Sequence, residues 1–325
     1  MENNLWKSFQ SVDNDEQKRV ELTSAITNRM LRFGLPETTS YQSYEREAEL
    51  LDMLYRGMVN DETLTRGFEA FKKFVPKVPG EIFDRYRAIR YELKKLDLDT
   101  LIIGACGLSP LGLIMAEENP ELNVIDTDLS DVVDYRRSLE IQASPRYSLT
   151  TLNLLDPAQE EVSDMPKGEK VAMVVEGLMF YLDEGQRKQL NHGLRKIADG
   201  VALPSAKDLH YIFDVYVADA PSKKRDTVFD PEHPQWKDFM NLVSNVYEGQ
   251  KAFFRSRNEV ISYLESSGYE MARASEQSSR DSAHTIFACK YNISGKRLYN
   301  VLANRIAAVD AGLIRKNRSK RSQRI

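Results

Sequence analysis

At Thr100 the 325-residue chain changes character. Thr100-Leu101-Ile102-Ile103-Gly104 is a short apolar, β-branched run. It opens an alternation of strand-like and helix-like segments that continues for roughly two hundred residues, and alternation of this kind implies parallel strands joined by helical crossovers. Strand patterns fall at 100–105, 122–126, 147–152, 170–175, 208–216, 269–273 and 284–291. Helical patterns fall at 110–118, 129–142, 184–198 and 257–267, the last stopping at Gly268 as a helix end should. Seven strands with intervening helices predict an α/β fold with a doubly wound, Rossmann-like sheet.

The flanks read differently. Residues 14–75 carry Val20, Leu22, Ile26, Met30 and Leu31, then Leu50, Leu51, Leu54 and Met58, at helical spacing. Gly34-Leu35-Pro36 breaks the first helix, and another is expected from about Gly80 to Leu96, behind Pro76 and Pro79. The chain is therefore divided into an N-terminal helical cap (1–80), an α/β core (81–293) and a C-terminal segment (294–325). Residues 218–249 contain Pro221, Pro231 and Pro234 among charges and aromatics where a crossover would otherwise be short, so they read as an insertion near the active-site face. Residues 296–314 predict an amphipathic helix through Leu298, Val301, Leu302, Ile306, Val309 and Leu313.

Composition narrows the classes further. Apolar residues at 42% suffice for a large core. No apolar run approaches the roughly 20 residues needed to span a bilayer, and the first residues lack a signal pattern, so a cytoplasmic protein with no membrane partner is expected. Cys106 and Cys289 are too few for a disulfide scaffold and form no CxxC pair, and the four histidines do not group into a metal site. The net charge is −4, yet the last fifteen residues hold Arg315, Lys316, Arg318, Lys320, Arg321 and Arg324 with no acid. That tail reads as a solvated terminus, with nucleic-acid binding as its alternative.

The residues that carry chemistry stand at strand ends. Gly104-Ala105-Cys106-Gly107-Leu108-Ser109-Pro110 follows the first strand and opens a helix, the position at which a backbone can approach a ligand closely. Asp126 and Asp128, about twenty residues on, are candidates to accept the hydroxyl protons of a ribose. Asn153 and Leu154 end the third strand, where an amide and an apolar side chain suit a nucleobase edge and face. Glu176 follows the apolar fourth strand, and a carboxylate there needs a partner such as an ammonium group.

Together, Gly107-Leu108-Ser109-Pro110, Thr127-Asp128-Leu129, Asn153-Leu154-Leu155-Asp156 and Glu176-Gly177-Leu178-Met179-Phe180-Tyr181-Leu182 resemble the leucine carboxyl methyltransferase family, which includes bacterial polyketide O-methyltransferases. The resemblance covers roughly residues 85–200. It implies a class I methyltransferase fold, S-adenosylmethionine as cofactor and a small-molecule acceptor methylated on a carboxylate or hydroxyl, in natural-product metabolism. It assigns Arg87, with Glu92 five positions on, to the cofactor carboxylate, with Arg85 and Arg90 as rivals. Gly104, Ala105 and Gly107 would line the methionine part, Asp128 the ribose, Asn153 and Leu154 the adenine, and Glu176 the amino group. The family's usual Gly-Ala-Gly-Leu-Asp-Thr loop is here Gly-Ala-Cys-Gly-Leu-Ser-Pro.

Acceptor contacts are expected from Tyr181, and from Asp214 and Tyr216 near the carboxyl end of the fifth strand rather than His210. A carboxylate acceptor needs no general base, whereas a hydroxyl would benefit from one. A nicotinamide-dependent oxidoreductase would use a similar strand-glycine-helix-acid layout, but GxGxxG spacing is absent and nothing then explains Glu176. An RNA-modifying methyltransferase is the reading the basic tail would favour. A non-catalytic helper that has kept the fold is a third.

Overall fold

The uniformly apolar runs of the sequence become the central strands of one sheet. The computed structural model describes residues 25, 27–35, 44–56, 78–203, 205–206, 208–216, 254, 256–266, 271–272, 284–292 and 299–301. Helices α1 (27–34), α2 (Glu45–Arg56) and α3 (Val78–Lys94) precede the sheet. Strands β1 (Thr100–Gly104), β2 (Asn123–Asp128) and β4 (Lys170–Val175) are buried almost throughout, as strands covered on both faces must be. β3 (Tyr147–Thr151) is half-buried along its length because it forms one edge.

With β5 (Asp208–Tyr216) these strands make a parallel set in the order β3-β2-β1-β4-β5. Helices α4 (Leu111–Glu118), α5 (Ser130–Ser138), α6 (Gln159–Ser163) and α7 (Glu184–Val201) make the crossovers, and α8 (Arg257–Ser266) follows β5. Beyond β5 the direction changes. β7 (His284–Asn292) runs antiparallel to it, β8 (Tyr299–Val301) antiparallel to β7, and the two-residue β6 (Met271–Ala272) parallel to β8.

The described residues therefore form eight strands, one more than the seven the sequence predicts. The addition, β8, falls inside residues 296–314, where the apolar spacing predicts a helix. Tyr299 and Val301 instead pair with Lys290 and Ala288 along the open edge of β7, so sheet pairing overrides local periodicity. The rest of that predicted helix, the 218–249 insertion and the basic tail lie outside the described residues.

Two apolar layers sandwich the sheet. On one side Leu50, Leu54, Tyr86, Ile89 and Leu93 pack in the same cluster as Leu101, Ile103, Leu111 and Val124. On the other, Leu190, Leu194 and Ile197 of α7 and Leu264 of α8 meet Ile102, Ile125 and Phe213. The helical prefix thus shares its core with the sheet. Arg90 of α3 clamps it there through ion pairs with Glu47 of α2 and Glu118 of α4, and the Tyr135 hydroxyl donates to the Leu54 carbonyl at 3.0 Å. Among the described residues no helix is long and apolar enough to cross a membrane.

Candidate functional site

The strand order fixes where a ligand can bind. From β1 the chain moves to β2 and β3, while β4, on the other side of β1, leads to β5; the direction of winding reverses between β1 and β4. In open α/β sheets the ligand crevice forms outside the carboxyl ends of the strands at that reversal. Register brings specific residues there. One rung, Thr150-Thr127-Gly104-Val175-Phe213, crosses all five parallel strands. The next residue along each strand is Thr151, Asp128, Ala105, Glu176 and Asp214. Four of the sequence-predicted site residues are brought to one level by backbone pairing alone.

The loop after β1 is wound tightly. Ala105 and Gly107 both have left-handed backbones, φ 51° and 49°. A non-glycine residue there bears strain of about 1–3 kcal/mol, which persists only where surrounding contacts impose it. Those contacts are present. Asp128 Oδ2 accepts from Gly107 N at 2.6 Å, and its Oδ1 accepts from Leu129 N at 2.8 Å. Asn28 of α1 donates to the Leu108 carbonyl at 3.0 Å. From α5, Arg136 reaches beneath the loop to the Gly107 carbonyl (3.1 Å), Cys106 Sγ (3.0 Å) and Asp126 Oδ2 (2.8 Å), which also accepts from Tyr147.

These bonds separate the two aspartates left open by the sequence. Asp126 is sealed in the core against Arg136, its carboxyl raised by burial. Asp128 also lies in the wall, its carboxyl raised by burial against the lowering effect of the Gly107 and Leu129 amides. Each Asp128 oxygen keeps a second lone pair for a hydroxyl donor. Leu129, immediately beyond it, exposes 43% of its surface, unusual for a large aliphatic residue beside a buried carboxylate.

At the end of β4 the cluster is ionic. Arg85 Nε donates to Glu176 Oε1 at 2.9 Å, and Arg85 Nη1 stands 3.5 Å from Asp214 Oδ2. Asp214 Oδ1 accepts from Gly177 N at 2.6 Å, holding the left-handed turn at Gly177 (φ 72°) against β5. Two carboxylates share one guanidinium, so when all three are ionised the cluster carries one excess negative charge. Burial raises the Glu176 carboxyl, Arg85 opposes this, and Asp214 adds to it. Among the described residues no hydrogen bond reaches Glu176 Oε2, which leaves an acceptor for an added cationic donor.

The structure sets Arg85, not Arg87, beside Glu176. Arg87 points along its own helix to Asp84 at 3.0 Å. The reason is helical phase: Ile82, Arg85 and Ile89 share the buried face, whereas Arg87 lies two residues, about 200°, away from Arg85. Asp214, expected at the acceptor, is fully buried behind the Arg85–Glu176 pair and Gly177. Tyr181 lies in a 3-10 turn, Met179–Tyr181, its phenol pushed up to about 12 by burial, with Arg85 lowering it and Asp214 raising it. Tyr216 is the last residue of β5, and its side chain lies outside the described residues.

Leu154 and Asn153 flank the loop from the β3 side. Gly104 lacks a side chain where Leu154 sits: an added Cβ would lie 2.6 Å from Leu154 Cδ1. Asn153 is exposed, with its Oδ1 accepting from Leu155 N at 3.0 Å. Arg136, which braces the loop from α5, joins the candidate site, and Leu129 adds an exposed apolar face beside it. Leu129 follows Asp128 directly, and its apolar character at a strand end is the signal for it in the sequence.

The residues present suit a nucleoside bearing an amino-acid chain. Glu176 can accept from an ammonium, Asp128 retains lone pairs for hydroxyls, and Leu129 and Leu154 offer apolar faces for a base. Among the described residues no group of His, Cys, Asp and Glu could hold a metal ion.

The same fold occurs in a Thermobifida fusca protein described as a methyltransferase, with a TM-score of 0.50 at 13% identity over 75% of this chain and 93% of that one. A Nostoc punctiforme protein described as an O-methyltransferase aligns over 85% and 72% at 12% identity, TM-score 0.46. Human N-acetylserotonin methyltransferase, solved in complex with S-adenosylmethionine, aligns over 79% and 60% at 10% identity, TM-score 0.43. No family profile and no curated sequence matches the chain.

Proposed function

We propose that this chain is a class I S-adenosylmethionine-dependent methyltransferase acting on an oxygen of a small-molecule acceptor. The observation that carries the reading is the Arg85–Glu176–Asp214 cluster at the sheet's reversal point, where Glu176 at the end of β4 offers a buried carboxylate to an amino-acid ammonium. The shared fold with a protein described as a methyltransferase supports it. So does the resemblance of residues 176–182 to the leucine carboxyl methyltransferase family, within which a natural-product branch is the closest reading.

When bound, S-adenosylmethionine supplies a methyl group on a sulfonium, and its transfer is a direct displacement that depends on alignment and exclusion of water. Glu176 would hold the ammonium and Arg85 the carboxylate of the methionine part, with Asp214 holding Arg85 and Gly177 in place. Gly104, Ala105 and Gly107 give the backbone room to approach. Asp128 accepts from the ribose hydroxyls. Leu129 and Leu154 would flank the adenine, and Asn153 would meet its edge. The Tyr181 phenol, pushed up to about 12, stays protonated at neutral pH, so it acts as a hydrogen-bond donor to the acceptor rather than a base. Tyr216, the last residue of β5, is a second candidate to contact the acceptor. The described helices of the prefix, α1, α2 and α3, would cover the acceptor.

Transfer of tritium from methyl-labelled cofactor into a pool of small carboxylic acids and phenols tests the reaction. Label recovered in an organic-extractable ester or ether is the expected result. Label staying wholly with the cofactor, together with no cofactor binding, would count against the assignment.

A further inference from the structure

α7 carries a buried cation that no described residue pairs with. Arg187 lies in the first turn of α7, its N–H donating to the Asp183 carbonyl, and is only 8% exposed. Its Nε and Nη1 are sealed from solvent without a hydrogen-bond acceptor, and among the described residues it makes no ion pair. The nearby acids are used elsewhere: Asp183 accepts from Gln186 N, and Glu184 pairs with Lys188. The guanidinium lies over the Phe254 ring, 4.8 Å from its centroid, and Tyr263 of α8 donates its hydroxyl to the Arg187 carbonyl at 3.0 Å.

A guanidinium does not escape burial by losing its proton. Buried donors on a charged group without acceptors are costly, so a fold that keeps them there leaves a place for an acceptor to arrive. The place is specific. β4 ends at Val175, and only the segment carrying Glu176 and the Met179–Tyr181 turn separates it from α7. The first turn of α7 therefore stands at the same carboxyl edge of the sheet as the cofactor residues. One guanidinium stacked on one aromatic ring matches a monoanion; a phosphate dianion would keep a charge in surplus.

We propose that the seam between α7 and α8 binds a carboxylate of the methyl acceptor through Arg187. This rests on the methyltransferase reading and adds a substrate class: an acceptor that carries a carboxylate as its recognition handle and presents a different oxygen to the methyl group. A carboxylate held by a guanidinium has its charge compensated and is the poorer nucleophile of the two.

The test uses the full chain and Arg187→Met, with benzoate as the probe, benzamide as its uncharged counterpart, and S-adenosylhomocysteine as a separate arm. In the parent chain benzoate is expected to raise Tm by about 2 °C or more at saturation, and benzamide not to. Arg187→Met should lose the benzoate shift, keep the S-adenosylhomocysteine shift, and unfold without ligand at the same temperature or higher, because a buried unpaired charge has been removed. Three results would overturn the proposal: equal benzoate shifts in both chains, no benzoate shift in the parent, or a lowered Tm of the unliganded variant. Absence of the S-adenosylhomocysteine shift in the parent would instead strike the methyltransferase reading.

Discussion

Arg85 and Glu176 are 91 positions apart in sequence, yet Arg85 Nε donates to Glu176 Oε1 across 2.9 Å. The bond ties α3, the last helix of the prefix, to the end of β4, where the winding of the sheet reverses. Behind it Asp214 contributes a second carboxylate, at 0% exposure. The cluster thus couples the helical prefix to the point at which a ligand can enter.

The two arginines of α3 are expected to behave differently. Arg85→Met leaves Glu176 and Asp214 buried without their cation and should lower stability by about 3–5 kcal/mol at neutral pH. Arg87→Met removes a partly exposed pair one helical turn long and should change it by less than about 1 kcal/mol. Urea denaturation of both variants checks this, and equal losses would show that Arg85 has no special place in the fold.

Much of the candidate site's placement is legible because strand ends are legible. Alternation of apolar runs with helical patterns located β1, β2, β4 and β5 to within two residues, and parallel register then levelled Ala105, Asp128, Glu176 and Asp214. What failed was phase and pairing. Choosing Arg87 over Arg85 turned on a two-residue difference that only the buried face of α3 decides, and the apolar face through Ile82 and Ile89 was the signal that could have decided it. The apolar spacing of residues 296–314 predicts a helix at β8 because it carries no information about the open edge of β7 with which β8 pairs. Asp126 and Asp128 could not be separated without Arg136, which binds one and not the other.

The pH dependence has a definite sign. Burial raises the Glu176 carboxyl above its ordinary value. Across the window from the ordinary carboxylate value up to the raised one, the unfolded chain ionises first, so this residue's contribution to stability falls as pH rises and is constant above. Cofactor binding runs the other way, because an ammonium requires the ionised carboxylate. Affinity for S-adenosylhomocysteine should rise with pH across that window in the parent chain and lose that rise in Glu176→Gln. Parallel titration curves for the two would separate Glu176 from the effect.

Gly177 occupies a left-handed turn at φ 72°. An alanine Cβ would stand 3.6 Å from the Arg85 terminal nitrogens, an ordinary contact, so the penalty is conformational alone. Gly177→Ala is expected to lower stability by about 1–2 kcal/mol. A change indistinguishable from zero in thermal unfolding would mean that the Asp214–Gly177 bond does not hold the turn.

Arg136 is a strut beneath the glycine loop, its side chain 2% exposed against an Asp126 side chain at 1%. Arg136→Met should destabilise the chain by about 3–5 kcal/mol by stranding Asp126, and the double variant with Asp126→Asn should recover part of that loss. Additive losses in the double-mutant cycle would show that the two residues act separately.

The central claim is that Glu176 receives the cofactor's ammonium at the end of β4. Isothermal titration of S-adenosylhomocysteine into the parent chain and Glu176→Gln addresses it directly, since Arg85 keeps Asp214 as a partner in the variant. The account predicts binding of one ligand per chain in the parent and an affinity at least about tenfold weaker in the variant, a difference of about 1.4 kcal/mol, with Tm little changed. Absence of binding in the parent, or equal affinity in both, would contradict it.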